Sequence, residues 1–186
     1  GQAEKQPFHM PIATGLLARD GRELAATRTL ELREAEQSFR FEGLTEEPVA
    51  SVLRGFSAPV RLKMDRSDED LAVLLAHDPD PFCRWEAGQE LASRVILGQL
   101  DAVASGTAPH LPTHLTEALR GVLQAEVADL ALVAYALALP AEAALANELS
   151  AIDPLALHAT RDGLRAAIGR ALADEFKARY DALAPQ

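Results

Sequence analysis

At 186 residues, with 48% hydrophobic and 25% charged side chains, the chain can bury a core and is excluded from the disordered class; one or two domains are expected. Its net charge of −10 implies an acidic surface that repels phosphate, which argues against nucleic acid and anionic membranes as partners. No apolar run reaches the roughly 18 residues of a membrane span, Gly1–Lys5 lacks the basic-then-apolar start of a secretory signal, and the single Cys83 precludes an intrachain disulfide, so a cytoplasmic protein is expected.

The first 65 residues alternate with period two. Phe8, Met10, Ile12, Thr14 and Leu16 share one face of a first strand, which Pro11 confines to an edge or a bulge because it lacks a backbone donor. Asp20-Gly21 favours the geometry of a tight hairpin. A second strand is expected over 23–32, with Leu24, Ala26, Leu30 and Leu32 on one face and Arg28 as the exception. Ser38–Phe41 reads as a third strand and Val52–Phe56 as a fourth. Val60, Leu62 and Met64 alternate with Arg61, Lys63 and Asp65 as a fifth, half-buried strand.

The period changes at Ser67. Ser67-Asp68-Glu69-Asp70 resembles a capping box with an acidic first turn, opening a helix to about Ala76. Asp78-Pro79-Asp80-Pro81 stops it, and Asp80 with Pro81 starts another that runs to about Ala104. Phe82, Trp85, Leu91 and Val95 supply its apolar face, and Trp85 is expected to be a main anchor. Thr113 caps a helix carrying Leu115, Leu119, Val122 and Leu123. Asp129–Leu139 is apolar on nearly every side, which predicts burial all round. Pro140 opens a further helix to about Leu149. Asp153-Pro154 opens one that reaches about Ala182, with a break expected near 161–163. Leu164, Ile168, Leu172, Phe176 and Tyr180 recur every four residues as one stripe, expected to be core. The helices share no fixed period, so no solenoid repeat is read, although stacked helical hairpins are compatible with the pattern.

Few side chains are patterned for chemistry. His110 and His114 have the i, i+4 spacing of a helical zinc pair, but Leu111 stands where the protease motif needs a glutamate, and Pro112 puts His110 before the helix. His9, His77 and His158 have no acidic or histidine partner at ligand spacing. Cys83, in a first helical turn, could be an activated thiol; with no histidine base nearby in sequence it reads as a packing residue. Asp78, Asp80 and Glu86 form an acidic group in which capping accounts for the aspartates. Gly55, Gly106 and Gly163 are isolated turn glycines, not a phosphate loop, and no serine sits in a nucleophile elbow. Phe8, Phe39, Phe41 and Phe56 read as core. No catalytic, cofactor-binding or metal-ligating residue is therefore assigned in this chain. The fold class read from the pattern is α+β in two segregated modules, residues 1–65 and 66–186, the second all-helical.

Three stretches together carry a resemblance. Ala3-Glu4-Lys5-Gln6-Pro7-Phe8-His9-Met10-Pro11, Leu53-Arg54-Gly55-Phe56-Ser57-Ala58-Pro59-Val60 and Asp80-Pro81-Phe82-Cys83-Arg84-Trp85-Glu86-Ala87-Gly88-Gln89 resemble, in order and spacing, bacterial aminopeptidase N, a zinc metallopeptidase of the gluzincin type. The likeness runs over nearly the whole chain. It implies a parent several times longer, of which this chain is most of an immunoglobulin-like third domain and the start of a helical fourth. The first module would be a truncated antiparallel β-sandwich, since about five strands are read where seven are needed, and the second a helical bundle or superhelix. The chain would then begin inside the β domain, with an edge covered by a neighbouring molecule or with its N-terminal strand displaced.

The resemblance places zinc in the parent's catalytic domain, held by a His-Glu-x-x-His motif with a distal glutamate, beside a Gly-x-Met-x-Asn loop that holds the substrate amine. Neither motif is present in this chain, so no catalytic residue carries over. The expected role is a non-catalytic segment that braces the catalytic domain and shapes a peptide-admitting chamber. Its expected partners are that catalytic domain and the remainder of the helical domain, with peptides as the parent's substrates. The alternatives are a free-standing interaction scaffold and an independent enzyme with an unrecognised site.

Overall fold

The structure, a computed structural model, describes residues 6–126 and 129–183. Ala3-Glu4-Lys5 of the first resembling stretch lies outside them. The β module is a three-stranded antiparallel sheet in the order β2-β1-β3, with β1 Met10–Leu17, β2 Glu23–Leu32 and β3 Val49–Val52. Strand β1 is not displaced; it is central over residues 14–17 and open on one side over residues 10–13. Pro11 is tolerated because β3 pairs only with residues 14–17 of β1. Its nitrogen points the same way as that of Ala13, whose N–H donates to Ser57 Oγ at 2.9 Å, beyond the end of the ladder.

The pairing of β1 with β2 slips between Thr14 and Leu16, where Arg28 and Ala25 are the successive partners. The extra residue switches the face that β2 presents. This leaves Ala26 exposed; before the slip, the regular register puts Arg28 beside Thr14, its guanidinium 4.4 Å from the Phe41 ring centroid. Residues 38–41 and 60–65 are not strands, and 54–56 is a 3₁₀ turn. Alternation foretells which face is buried, but a strand also needs a backbone partner. Phe39, Val60 and Leu62 instead line an open apolar trough, with Ile12 and Leu30 on the sheet face.

The helical module comprises α1 Asp68–His77, α2 Pro81–Leu97, α3 Leu100–Ala104, α4 Thr113–Gln124, α5 Leu130–Ala136, α6 Glu142–Ala146, α7 Pro154–Ala171 and α8 Ala173–Leu183. The starts follow local chemistry. Ser67 accepts from the Asp70 N–H, Asp80 from that of Cys83, and Asp153 from those of Leu155 and Ala156. The expected break near 161–163 is absent; α7 runs on to Ala171, with Leu172 as its C-cap. Gly163 stays helical and admits the Pro109 ring, which a Cβ there would meet at 2.6 Å. One core joins both modules: Leu17 and Val49 of the sheet pack in the same cluster as Leu71, Leu75, Leu91, Ile96, Leu119 and Leu164.

Two burial expectations are corrected. Of the segment expected to be buried all round, only Val133 and Ala136 of α5 are buried, and Tyr135 is 65% exposed. Trp85 is 38% exposed, so it is not the anchor; Leu91, fully buried on the same helix, holds that place. The stripe on α7 and α8 is core for Leu164, Ile168 and Leu172 and open to solvent at Tyr180.

Candidate functional site at the module junction

Strand β3 ends in a backbone that few side chains adopt. Leu53, Gly55 and Phe56 all have positive φ, at 68°, 63° and 52°. For Leu and Phe this is strained. Burial of Leu53, an edge-on contact of Phe56 with Phe82 at 5.1 Å, and a 2.7 Å bond from the Gly55 N–H to Asp80 Oδ2 hold it. Asp80 thus does two jobs, because its other oxygen caps α2 through the Cys83 N–H.

This turn delivers Arg54 into the joint. Its side chain is 5% exposed. It donates to Ser51 Oγ, Glu23 Oε1 and Thr27 Oγ1, each at 2.8 Å, and lies 3.5 Å from Asp78 Oδ1 at the end of α1. The guanidinium therefore links β2, β3 and α1. Gly15 makes room for it: a Cβ there would lie 2.2 Å from Arg54 Nη1. At the β1–β2 turn, Gly21 admits His77 in the same way and needs its positive φ of 87°.

Asp78 is completely buried and keeps one oxygen unbonded. Burial raises its carboxyl pKa, against the pull of the Ser51 hydroxyl, the Asp80 N–H and Arg54. The folded protein then binds that proton more tightly than the unfolded chain does. This contribution to stability grows as pH falls toward the usual carboxylate range. Relative to Asp78→Asn, the wild type is expected to gain stability between about pH 7 and about pH 4, read from denaturant midpoints at each pH.

Cys83 donates its thiol to the Val52 carbonyl at 3.3 Å, tying α2 to β3. Burial pushes its pKa up to about 12, the reverse of an activated nucleophile. The expected result with a thiol-exchange reagent at neutral pH is no reaction until the chain unfolds. Prompt labelling of the folded protein would place the thiol elsewhere.

The other singled-out residues do not converge. His110 lies before α4, where its backbone N–H donates to Gln99, and His114 is 4.0 Å from Asp68. Two pairs that sequence spacing misses are His158 with Glu142 at 2.8 Å and His9 with Glu31 at 3.8 Å. Among the described residues no three His, Cys, Asp or Glu side chains meet to hold a metal. Among the described residues no helix is long and apolar enough to cross a membrane.

Beside the joint, a cleft of about 870 Å³ runs between α2 and α6 with Trp85 at one end, and a smaller apolar hollow opens between Phe82, Trp85 and Tyr135. Arg66 and Arg94 line the cleft and both pair with Glu90. Glu86 also lines it, and burial raises its carboxyl pKa.

Residues 68–186 match a family described as "Domain of unknown function (DUF3458_C) ARM repeats", and residues 1–65 match its companion described as having an Ig-like fold. Aminopeptidase N of Escherichia coli strain K12 is 36% identical over 188 residues, covering 97% of this chain and 22% of that protein. Aminopeptidase N of Caulobacter vibrioides is 45% identical over 163 residues, 87% of this chain and 18% of that protein. Among solved structures, Legionella pneumophila aminopeptidase A in complex with aspartic acid superposes with a TM-score of 0.79 at 26% identity, over 95% of this chain and 21% of its own. The chain spans about a fifth of the length of the curated relatives it matches.

Proposed function

The chain belongs to the family of DUF3458_C ARM-repeat domains, here preceded by an Ig-like piece, and we propose that it acts as a non-catalytic middle segment of a zinc-dependent aminopeptidase. The observation that carries the reading is the likeness of both modules, in order, to one continuous part of aminopeptidases. In that role the segment braces the catalytic domain and helps shape the chamber that admits peptides. Its partners are the catalytic domain and the rest of the helical domain, and the parent works in the cytoplasm. The Arg54 network supports the bracing role, because it ties the sheet to the end of α1.

Zinc belongs to the catalytic part. Among the described residues none fit it, since His110 and His114 lack a third ligand nearby, so no step of peptide hydrolysis is assigned to this chain. The purified chain, assayed on aminoacyl-naphthylamides with added zinc, is expected to give no turnover above blank; turnover would overturn the reading. A His-Glu-x-x-His motif upstream in the same reading frame is the expected genetic result.

A second reading, a free-standing interaction scaffold, draws on the exposed face around Trp85 and Tyr135. A natural start and stop flanking these residues would favour it.

A further inference from the structure

We propose that the cleft between α2 and α6 seats a helix of a further repeat of the parent, one that carries an arginine or lysine within its apolar stripe and places that cation at Glu86. The proposal rests on the aminopeptidase reading for the source of the helix, and on shape and charge for its chemistry.

The shape comes first. The cleft wall on α2 runs from Glu86 past Gln89 and Ser93 to Leu97, one face over three turns, or about 16 Å at 1.5 Å per residue. Ala141, just before α6, and Ala144 within it form the opposite wall with small side chains. A groove between a long helix and a shorter one is what a third helix packs into. Repeat proteins bury each unit's face on the next, and only terminal units present a polar face. This face is not polar throughout: Leu62 and Leu97 line it and Trp85 stands open at its end.

Charge then selects the occupant. Arg94 bonds Glu90 at 2.6 Å and Asp68 at 3.0 Å, and Arg66 bonds Glu90, so both cations in the wall are already neutralised. Glu86 and Glu148 have no hydrogen bond or ion pair among the described residues, which leaves the cleft with surplus negative charge. Glu86 is half-buried and its carboxyl pKa is raised by burial, against the pull of nearby Arg66 and with a smaller push from Glu90; Arg66 is itself bonded to Glu90, so burial prevails and the charge is poorly solvated where it stands. An incoming guanidinium or ammonium supplies the missing partner and reaches the Trp85 ring beside it. An acidic or purely apolar helix would leave Glu86 buried and unpaired.

Trp85 is the chain's single tryptophan, so its emission reports on the cleft directly. The probe is a synthetic amphipathic peptide of about 15 residues with one arginine in its apolar stripe, compared with the same peptide carrying glutamine there. The expected result is a saturable blue shift with the arginine peptide and binding about tenfold weaker with glutamine. In Glu86→Gln the two peptides should bind alike. That variant should unfold at or slightly above the wild-type denaturant concentration, since Glu86 makes no hydrogen bond among the described residues and the change removes a poorly solvated charge. Equal affinities of both peptides for the wild type, or no binding, would overturn the proposal. So would self-association that Glu86→Gln disperses, because the groove would then belong to a second copy. The reading frame separates the two claims. Glu86-dependent binding in a protein whose frame ends near these residues would overturn the parent as source and with it the bracing role. Charge-blind binding within a long frame would overturn the present proposal and leave the bracing role standing.

Discussion

Arg54→Met is expected to lower the unfolding free energy by about 3–5 kcal/mol, a large share of the stability of an ordinary domain. The cost comes from what stays behind. Asp78 remains buried without its cation, and Ser51, Glu23 and Thr27 each lose a donor at 2.8 Å. The methionine fills part of the space, so the loss reports charge and hydrogen bonding more than volume. Pairing it with Asp78→Asn should recover part of the cost, because the second change removes the stranded carboxylate; the double variant should be more stable than the sum of the single effects predicts. Urea unfolding measures both quantities through the midpoint at constant slope. A loss under about 1 kcal/mol for Arg54→Met would show that the two modules hold together without this network.

The second large effect is expected at Leu91. It is fully buried at the middle of α2, within the cluster that both modules share, and Leu91→Ala should cost about 2–5 kcal/mol. Trp85→Ala, six residues earlier on the same helix, should cost less, about 1–2 kcal/mol, because the ring is 38% exposed and packs on the Phe82 ring at 6.3 Å. Composition alone favours the opposite order, since a tryptophan carries more apolar surface than a leucine. A Trp85→Ala loss equal to that of Leu91→Ala would mean that the ring is covered in solution.

The elements differ in how far the sequence reveals them. Helix starts at Ser67, Asp80 and Asp153 were legible because a cap is a contact between residues two or three apart. The strands expected at 38–41 and 60–65 were not formed because pairing depends on residues far along the chain, and alternation says nothing about whether a partner exists. The even-numbered face of β2 failed at Ala26 because of a bulge that no residue there announces. Apolarity around α5 suggested burial on every side, yet Leu132 and Tyr135 face the open hollow beside Trp85. The stacked repeats were hidden for a related reason: helices as short as α3 and as long as α7 cannot keep a fixed sequence period, though 68–186 matches an ARM-repeat family. At the joint, Asp80 was legible as a cap and Cys83 as a packing residue. Arg54 was missed because a charged side chain at a strand end usually faces water. Its one sequence trace is Gly15, a residue without a side chain amid the apolar run of β1.

That glycine also restricts how this joint can change over generations. While Arg54 is present, any side chain at position 15 enters the space of its guanidinium. Once Arg54 is shortened, the same position becomes available to alanine. The two sites are therefore conditional on each other, and substitutions there are tolerated in one order and rejected in the other. A lineage leaves this arrangement by giving up the arginine first, and must pass through an intermediate weakened by that loss.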